Sequence, residues 1–449
     1  MHKRLHTRRD LHQIRSDNNN RQLRGVRHQN PTTVAWSQRP TGRSYRLRFC
    51  MISAFYPPDA FGGDAIFIQN LNRELLRRGH EIDVIHCADS YNSLKGGGET
   101  KFPVLEGVMT HPLRSGGGIL APLAAHQTGR PMLHRRAIQR VLRSKPFDVV
   151  HFHNISVFGP KVLQTPVPAN AIKLYTAHEH WLVCPLSVLW KNGRELCRKP
   201  SCFACSIRAG RPPQLWRHGN LLAQSAKHVD AFLALSQASA DAHRQRGFAP
   251  PMHIVPGFTA LPVDVAGSRP HARPYFLFAG RLEKYKGVQD LIPLFDSNGA
   301  YDLLIAGAGG FEDELRRLAQ DHPRVHFVGW KGADELGRYY RHARALIAPS
   351  LTLETFGMVV AEAMAHGTPV IARDLGPYPE LLSRGGGLLF RDRSELTDAV
   401  SRLGADDELR ATLSSQALAS YLAERTPEIH VDRYLSTIDE IRGTKSQPR

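Results

Sequence analysis

The sequence lacks the long apolar segments that carry a chain into or across a membrane. No apolar run reaches the roughly 18 residues of a transmembrane helix, and the N-terminus has no apolar core of a secretory signal. No Asp-x-Asp sequence occurs anywhere in the 449 residues, so the carboxylate pair that commonly holds a metal-bound diphosphate is missing. These absences predict a cytoplasmic protein that needs no catalytic metal ion.

The positive charge of the chain is unevenly distributed. Of the net charge of +18, residues 1–48 supply +10, from twelve Lys/Arg and two Asp, which leaves +8 for the rest. This segment is also rich in Asn, Gln and His and has no hydrophobic period, which predicts a disordered tail. Two interpretations of the tail remain open: it binds anionic lipid or nucleic acid, or it is an extension that does not belong to the folded protein.

Behind the tail, strand patterns alternate with amphipathic helix patterns. Strands are predicted at "DVVHFH", "AIKLYTAH" and "AFLALS", and a second series begins with "YFLFAG", "YDLLIAG" and "RALIAPS". Such alternation favours parallel sheets covered by helices on both faces. The sequence therefore predicts an α/β fold of two Rossmann-like, doubly wound domains that face a central cleft, where ligands of such sheets bind. The predicted segments are a tail at 1–44, an N-terminal domain at 45–256, a proline-rich linker at 257–274, a C-terminal domain at 275–425 and a final helix with a short tail at 426–449.

Two cations lie at the end of the first strand of the second series, in "FAGRLEKYKG". Arg281 and Lys286 flank a predicted turn into a helix. Cations at the carboxyl end of a strand, facing a cleft, suit a diphosphate group. A pair of solvated surface residues is the alternative interpretation.

The stretch "ETFGMVVAE" places two glutamates, Glu354 and Glu362, in otherwise apolar surroundings. A buried carboxylate is costly unless it is paired, hydrogen-bonded or solvated, so we expect a bound ligand to satisfy both. A helix is predicted to begin near Phe356 and Gly357, and the free N–H groups of Phe356, Gly357 and Met358 can bind a phosphate. The alternative for Glu362 is a solvated helix face, which its apolar neighbours disfavour.

Taken together, these motifs resemble those of the family 4 glycosyltransferases, retaining enzymes of the GT-B fold. The resemblance runs from about Phe49 to about residue 440 and rests on "FYPPDAFGGDAIFIQNLNRELLRRGHEIDVI", "HFHN", "TAHEHW", "FAGRLEKYKG", "IAGAGG" and "ETFGMVVAE". It implies a sugar donor that is a nucleotide diphosphate sugar. The implied acceptor is a sugar or a lipid-linked glycan, in surface polysaccharide or glycolipid biosynthesis. No cofactor is expected for catalysis.

The resemblance also implies the roles of individual residues. Glu354 would contact the transferred sugar, Glu362 the ribose, and His178 the region of the sugar and the acceptor. The implied binding site for the sugar donor is formed by Gly62, Gly63, Arg281, Lys286, Phe356, Gly357, Met358 and Glu362. The implied acceptor side, in the N-terminal domain, is formed by Asp59, His151 and His153. The final helix would cross back onto that domain. The expected location is cytoplasmic, with peripheral association at the inner face of the membrane.

Four of the six cysteines form the spacing Cys184-x12-Cys197-x4-Cys202-x2-Cys205. Four sulfurs that end in a C-x-x-C pair suit a tetrahedral structural zinc site. Unliganded thiols and an iron–sulfur cluster are the alternatives. The segment follows His178 closely, so we expect it to shape the acceptor pocket.

Two other classes of function are alternatives to sugar transfer. A basic nucleic-acid-binding zinc protein does not explain the two glutamates or the two cations, so no specific nucleic acid partner is expected. A sugar-nucleotide epimerase on the same fold would convert its substrate without an acceptor, and a phosphorylase would need a cofactor lysine that the sequence does not identify.

Overall fold

The computed structural model describes residues 46–60, 62–94, 103–115, 120–260 and 268–445, and these belong to one compact unit. The predicted tail at 1–44 and the middle of the predicted linker lie outside these ranges. The described residues form two parallel α/β sheets, so the predicted fold class is confirmed. No helix among the described residues is both long and apolar enough to cross a bilayer.

The N-terminal domain is built on seven parallel strands and carries a separate short hairpin, β6–β7. The strands are β1 Arg48–Ile52, β2 Glu81–Cys87, β3 Val108–Leu113, β4 Val149–Phe152, β5 Ile172–Ala177, β6 Trp190–Lys191, β7 Glu195–Leu196, β8 Ala231–Ala234 and β9 Met252–Ile254. The helices are α1 Gly62–Arg77, α2 Ala88–Leu94, α3 Leu120–Thr128, α4 Arg135–Ser144, α5 Cys202–Arg208, α6 Leu221–Ala226 and α7 Gln237–Arg244. The sheet order is β3-β2-β1-β4-β5-β8-β9. The order reverses between β1 and β4, which opens a crevice at the carboxyl edge of the sheet.

The C-terminal domain repeats this plan with six parallel strands. The strands are β10 Tyr275–Ala279, β11 Asp302–Ala306, β12 Val325–Gly329, β13 Leu346–Ala348, β14 Val370–Arg373 and β15 Gly387–Phe390. The helices are α8 Glu312–Leu318, α9 Ala333–His342, α10 Met358–Ala365, α11 Tyr378–Leu381, α12 Arg393–Ala405, α13 Asp407–Glu424 and α14 Pro427–Lys445. The sheet order is β12-β11-β10-β13-β14-β15, which places the reversal between β10 and β13.

Each sheet has an apolar core of its own because its central strands are buried on both faces. Fully buried side chains such as Ile52 and Phe152 belong to the N-terminal core, and Phe276 and Ile305 belong to the C-terminal core. Near-continuous apolar strands are typical of parallel sheets that carry helices on both sides.

The helix that the sequence predicts after Lys286 does not form. The chain instead makes three short 3₁₀ turns at Lys284–Lys286, Val288–Asp290 and Ile292–Leu294. Gly287 has a φ of 78°, and a Cβ there would lie 2.2 Å from the carbonyl oxygen of Pro349, at the end of β13. This close approach and the missing N–H of Pro293 interrupt the α-helical pattern.

The last helix, α14, packs against the N-terminal domain. Arg78 at the end of α1 donates to Asp432 (2.5 Å) and to the carbonyl of Glu428 (2.9 Å). Lys445 donates to the carbonyl of Ala171 (2.8 Å). Helix α14 therefore ties the end of the chain to the first sheet.

Candidate active site

The loop that follows β13 contacts the N-terminal domain directly. Thr355 Oγ1 donates to the carbonyl of His178 (2.8 Å), and Ser236 Oγ donates to the carbonyl of Thr355 (2.7 Å). His178 follows β5 and Ser236 follows β8, so the carboxyl edges of both sheets meet here. The cleft between them brings Glu354 and His178 into one site.

Glu354 is held by a cation and a hydroxyl within its own domain. Lys286 Nζ donates to Glu354 Oε1 at 2.7 Å, and Ser350 Oγ donates to the same oxygen at 2.7 Å. Burial alone would raise the pKa of Glu354, but Lys286, Ser350 and the nearby Arg281 outweigh it, and the pKa falls below its ordinary value. The expectation that a ligand satisfies this carboxylate is therefore corrected: the protein itself does so, with Lys286.

Glu362 lies in a different environment, one turn into α10. Its Oε2 accepts a hydrogen bond from the hydroxyl of Tyr340 (2.8 Å), and no ion pair with a cation occurs among the described residues. Burial raises the pKa of Glu362 to about 7, although Tyr340 opposes the rise. A substantial fraction of this carboxyl group is protonated at neutral pH, so it can donate as well as accept a hydrogen bond.

Helix α10 begins at Met358, one or two residues later than predicted, and Gly357 provides its N-cap with a φ of 90°. A Cβ at Gly357 would lie 2.8 Å from the ring of Tyr378, so a larger residue has neither the conformation nor the space. Phe356 is buried, and only its backbone can serve the cleft. The first N–H groups of a helix have no partner within it, so the predicted phosphate contacts remain available.

The predicted acceptor-side histidines lie behind the wall of the cleft. His151 and His153 are each 1% exposed, whereas His178 is partly exposed. The two ring nitrogens of His151 contact Thr176 Oγ1 (2.8 Å) and the hydroxyl of Tyr434 (2.8 Å) on α14. His153 Nδ1 lies 2.8 Å from His178 Nε2. The structure thus gives His153 a supporting position behind His178 instead of a surface position.

The hydrogen bond between the two rings defines the tautomer of His178. Burial lowers the pKa of His178 to about 3 and that of His153 well below its ordinary value, so both rings are neutral. Among the described groups, Nε2 of His153 is buried without a partner. A buried N–H without a partner is rare, which places the proton of His153 on Nδ1, where it is donated to His178 Nε2. His178 then carries its own proton on Nδ1.

The first loop of the N-terminal domain supplies a carboxylate that the sequence analysis missed. Asp64 Oδ2 accepts from Asn154 Nδ2 (3.1 Å), directly after the predicted Gly62 and Gly63 at the start of α1. Burial raises the pKa of Asp64, and hydrogen bonds and Arg281 partly oppose the rise. An acidic residue in the first turn after two glycines was the available signal. The predicted Asp59 accepts from His86 (3.3 Å).

Glu179 is the second missed carboxylate, and it directly follows His178 in "TAHE". Burial, and then Asp64, raise the pKa of Glu179 to about 7, while Ser187 and Arg281 lower it in part. Asp64, Glu179 and Arg281 therefore lie close enough to influence one another across the cleft. A polar residue next to the motif histidine was the signal for Glu179.

The four clustered cysteines lie in an insertion between β5 and β8 that also contacts the loop carrying Glu354. Thr352 Oγ1 donates to the carbonyl of Val188, and His180 Nε2 donates to the carbonyl of Leu353 (3.1 Å). Leu353 packs against a small core that contains Cys184. We call residues 183–210 the cysteine insertion.

The four thiols of the cysteine insertion share one neighbourhood. Burial, followed by the charge of Cys184, raises the pKa of Cys197 and of Cys202, and Cys205 acts on both in the same direction. The described thiols include no three whose sulfurs all lie within 4.8 Å of one another. Cys50 and Cys87 lie on β1 and β2 and are buried.

A separate cluster lies at the opposite edge of the C-terminal sheet. His271 and His326 contact Asp302 Oδ2 at 2.6 Å and 3.2 Å, and Arg273 donates to Oδ1 at 3.1 Å. Asp302 begins β11, so this cluster is at the amino ends of the strands and not in the cleft. The arginine on Asp302 disfavours an added cation.

Comparison with known proteins identifies the family. The sequence matches the family described as Glycosyltransferase Family 4 over residues 61–261, and Glycosyl transferases group 1 over residues 265–419. The chain therefore belongs to the family 4 type of glycosyltransferases, as the motifs predict, and it is a glycosyltransferase of GT-B fold.

Individual relatives agree with this family. An uncharacterized glycosyltransferase of Methanocaldococcus jannaschii is 25% identical over 373 residues, which cover 75% of this chain and 83% of that protein. The solved sucrose-phosphate synthase of Thermosynechococcus elongatus has a TM-score of 0.67 at 20% identity, covering 89% of this chain and all of that chain (100%). Anabaena HepE in complex with UDP has a TM-score of 0.59 at 18% identity, covering 88% and 100%. At such identities the structural likeness shows the fold alone.

Proposed function

We propose that this glycosyltransferase moves a sugar from a nucleotide diphosphate sugar to an acceptor with retention of the anomeric configuration. The observation that carries the proposal is the Lys286–Glu354 pair beside Arg281, at the start of α10 and across the cleft from His178. Two cations and a helix N-terminus suit a diphosphate, and a carboxylate next to them suits sugar hydroxyls. HepE, a neighbour in fold, binds UDP and UDP-glucose, which supports a nucleotide-sugar donor.

The sugar donor would lie along α10. In this arrangement Arg281 and Lys286 contact the diphosphate, and the backbone N–H groups at 356–358 contact a phosphate. Glu362 then accepts hydrogen bonds from the ribose hydroxyls or donates to them, and the loop at Gly62 and Gly63 covers the diphosphate. Lys286 has three N–H bonds, so it can hold Glu354 and a phosphate oxygen at once.

During the transfer, negative charge develops on the nucleoside diphosphate, next to the two cations. The bond between sugar C1 and the phosphate oxygen breaks, its electron pair goes to the nucleoside diphosphate, and an acceptor oxygen bonds to C1. Arg281 and Lys286 stabilise the charge as it develops. Neutral His178, with a pKa of about 3, is too weak a base to take the acceptor proton. In the retaining mechanism that the family resemblance implies, that proton passes to the departing phosphate oxygen as the acceptor attacks on the leaving-group face.

The acceptor would enter from the N-terminal side, beside His178. Asp64 and Glu179 lie there and can accept hydrogen bonds from hydroxyl groups of the sugar acceptor. The N–H at Nδ1 of His178 can donate to an oxygen of the same molecule. We propose a glycan of surface polysaccharide or glycolipid biosynthesis as the acceptor, with cytoplasmic, peripheral action at the membrane. All six cysteines are free thiols in the described structure, which fits a reducing compartment.

A structural zinc ion in the cysteine insertion is part of the proposal. Four cysteines in one short segment supply the thiolates that zinc prefers, and Cys184 and Cys205 are buried, but the sulfurs would have to move closer together than in this structure to share one ion. Cys184, Cys197, Cys202 and Cys205 would hold the ion, which would neutralise the thiolates and order the insertion. Its role would be structural, with no part in the transfer step.

The test is a transfer assay in EDTA with UDP-, GDP- and ADP-linked sugars and lipid-linked or polysaccharide acceptors. We expect one sugar donor to release its nucleoside diphosphate in the presence of an acceptor, and NMR of the product to show the anomeric configuration of the donor. Conversion of the donor into another nucleotide sugar without an acceptor would identify an epimerase instead. An inverted product would overturn the retaining mechanism.

A further inference from the structure

The segment that contains α3 and α4 carries only positive charge. Residues 107–147 contain no Asp or Glu but have six arginines and one lysine. Four of these arginines project from α4 and are exposed: Arg135, Arg136, Arg140 and Arg143. None of the four has an ion-pair partner within the described ranges, whereas most arginines of the C-terminal domain are paired. Helix α4 therefore presents an uncompensated basic face.

Two apolar side chains are exposed directly before this helix. Met132 is 53% exposed and Leu133 is 54% exposed. They stand between the exposed Arg130 and the basic face of α4. Adjacent exposed aliphatic side chains surrounded by arginines are typical of a surface that enters the headgroup region of a bilayer.

The loop that bears these apolar residues is firmly attached to the domain. Lys161 donates its backbone N–H to the carbonyl of Gly129 (3.0 Å), and a Cβ on Gly159 would lie 2.4 Å from the Gly129 backbone. On the other side, the buried His134 lies 3.5 Å from the sulfur of Cys87. Met132 and Leu133 are thus presented by a fixed loop.

The same contacts place the loop at the active-site edge of the sheet. Cys87 is the last residue of β2, so the start of α4 lies at the carboxyl edge, where the cleft opens. A bilayer that contacted Met132 and Leu133 would lie beside the entrance for an acceptor.

We propose that Met132, Leu133 and the arginines of α4 form a docking surface for an anionic lipid bilayer, here called the α4 docking surface. Basic residues near such a bilayer are attracted to its negative surface potential, and aliphatic side chains gain by leaving water. Nucleic acid would match the arginines but would leave both aliphatic residues without a role. Residues 1–44 carry a net charge of +8, from ten Lys/Arg and two Asp, and so do not complement this surface. The proposal extends the proposed function by fixing the orientation in which a lipid-linked acceptor would be met.

The test measures binding of the full chain to vesicles of phosphatidylcholine alone and with phosphatidylglycerol, by flotation, without sugar donor or acceptor. We expect binding only to the anionic vesicles, with weakening as salt rises. Reversing the charge of two arginines in Arg135→Glu/Arg136→Glu should weaken binding to the anionic vesicles at least about 10-fold. Removing the aliphatic contacts in Met132→Ser/Leu133→Ser should weaken this binding about 10-fold. The matched control, Arg393→Glu/Arg433→Glu, changes the net charge equally at exposed sites on α12 and α14 and should bind like the parent.

Several outcomes would overturn the proposal. Equal weakening by the control would show a general charge effect. Unchanged binding by the serine variant would remove the aliphatic contact. Binding of duplex nucleic acid through Arg135 and Arg136, with no vesicle binding, would assign the surface to another partner. Vesicle binding is measured without sugar donor or acceptor, so it is independent of the transfer reaction. The docking proposal can therefore fail while sugar transfer succeeds, and sugar transfer can fail while vesicle binding succeeds.

Discussion

Glu354 and Glu362 lie eight residues apart in one motif, yet their surroundings shift their pKa values in opposite directions. Glu354 is paired with Lys286, and its pKa is lowered, so it stays ionised. Glu362 accepts a hydrogen bond from the hydroxyl of Tyr340, and burial raises its pKa to about 7. Substitution by glutamine should therefore change stability with opposite signs.

The first prediction concerns Glu362→Gln. A raised pKa means that the folded protein binds this proton more tightly, so the parent loses stability as the pH rises from about 4.5 through about 7. The glutamine variant has no such loss. At pH 8 it should be more stable than the parent, by up to about 3 kcal/mol, at about 1.4 kcal/mol for each pKa unit. Melting curves at pH 5 and pH 8 test this, and a variant that is less stable at pH 8 would contradict it. Its KM for the sugar donor should rise, with little change in kcat.

The second prediction concerns Glu354→Gln. A lowered pKa gives stability that is present above the ordinary pKa of glutamate and is lost as the pH falls through the folded pKa. The free energy of unfolding of the variant should be lower than that of the parent at pH 7 by about 1 kcal/mol, because solvent weakens the interaction of this partly exposed pair. The difference should disappear at acid pH. Its kcat should fall more than its KM changes, because the group lies where the bond breaks. A variant as stable as the parent at pH 7 would show that the pair with Lys286 contributes nothing.

The third prediction concerns His153, which we expect to position His178. Asn at this position keeps an N–H near the place of Nδ1, whereas Leu removes it. Nitrogen-15 NMR should show the Nδ1–H tautomer for His178 in the parent and in His153→Asn, but a mixture in His153→Leu. The leucine variant should lose about tenfold in kcat, the worth of one hydrogen bond of ~1.4 kcal/mol. A purely structural role would lower stability without changing the tautomer, and the Nε2–H form in the parent would contradict the assignment.

At the scale of elements, the cysteine insertion and the loop before α10 act as one unit. The insertion accepts a hydrogen bond from Thr352 at the carbonyl of Val188 and packs on Leu353, and His180, just before the insertion, donates to the carbonyl of Leu353. Because Glu354 is the next residue, the order of the insertion should influence the position of this carboxylate.

The fourth prediction follows from this contact. The purified parent should contain about one zinc per chain, and Cys202→Ser/Cys205→Ser should contain none, by elemental analysis. The double variant should also show a raised KM for the sugar donor, because the loop at 352–355 loses its support. Cys87→Ala, outside the insertion, is the control and should keep both zinc and KM. No zinc in the parent, with six freely reactive thiols, would overturn the metal site, and lost zinc with an unchanged KM would overturn the coupling.

At the scale of the molecule, the two domains are held together by polar contacts and by α14. Glu380 on α11 accepts from the backbone N–H groups of Gln237 (2.9 Å) and Ala238 (2.6 Å) at the start of α7. Tyr434 of α14 contacts His151, which lies beside His153 in the N-terminal sheet. The contact between the two domains is thus stabilised at sites that flank the proposed substrate.

The sequence predicts what depends on local pattern and fails where distant parts meet. Strand and helix alternation follows from apolar periodicity, which is why the fold class is correct. Lys286 and Glu354 lie in different loops, so the sequence motifs indicate both residues but not the contact between them. His151 and His153 look like open polar positions near a strand end, but Tyr434 of α14 contacts His151 and His178 contacts His153. Neither Asp64 nor Glu179 has a pattern of its own beyond the neighbouring motif.

The central claim is that the cleft binds a nucleotide diphosphate through Arg281 and Lys286 without a divalent ion. The most direct test is calorimetric titration of the full chain with UDP, GDP and ADP in EDTA, together with Arg281→Ala. Arg281 is exposed, so its loss should leave the fold intact. We expect one of the three nucleotides to bind the parent, and Arg281→Ala to weaken that binding by about 2 kcal/mol, or roughly 30-fold. Binding that requires Mg²⁺ or Mn²⁺, or that is equally tight in Arg281→Ala, would contradict the account.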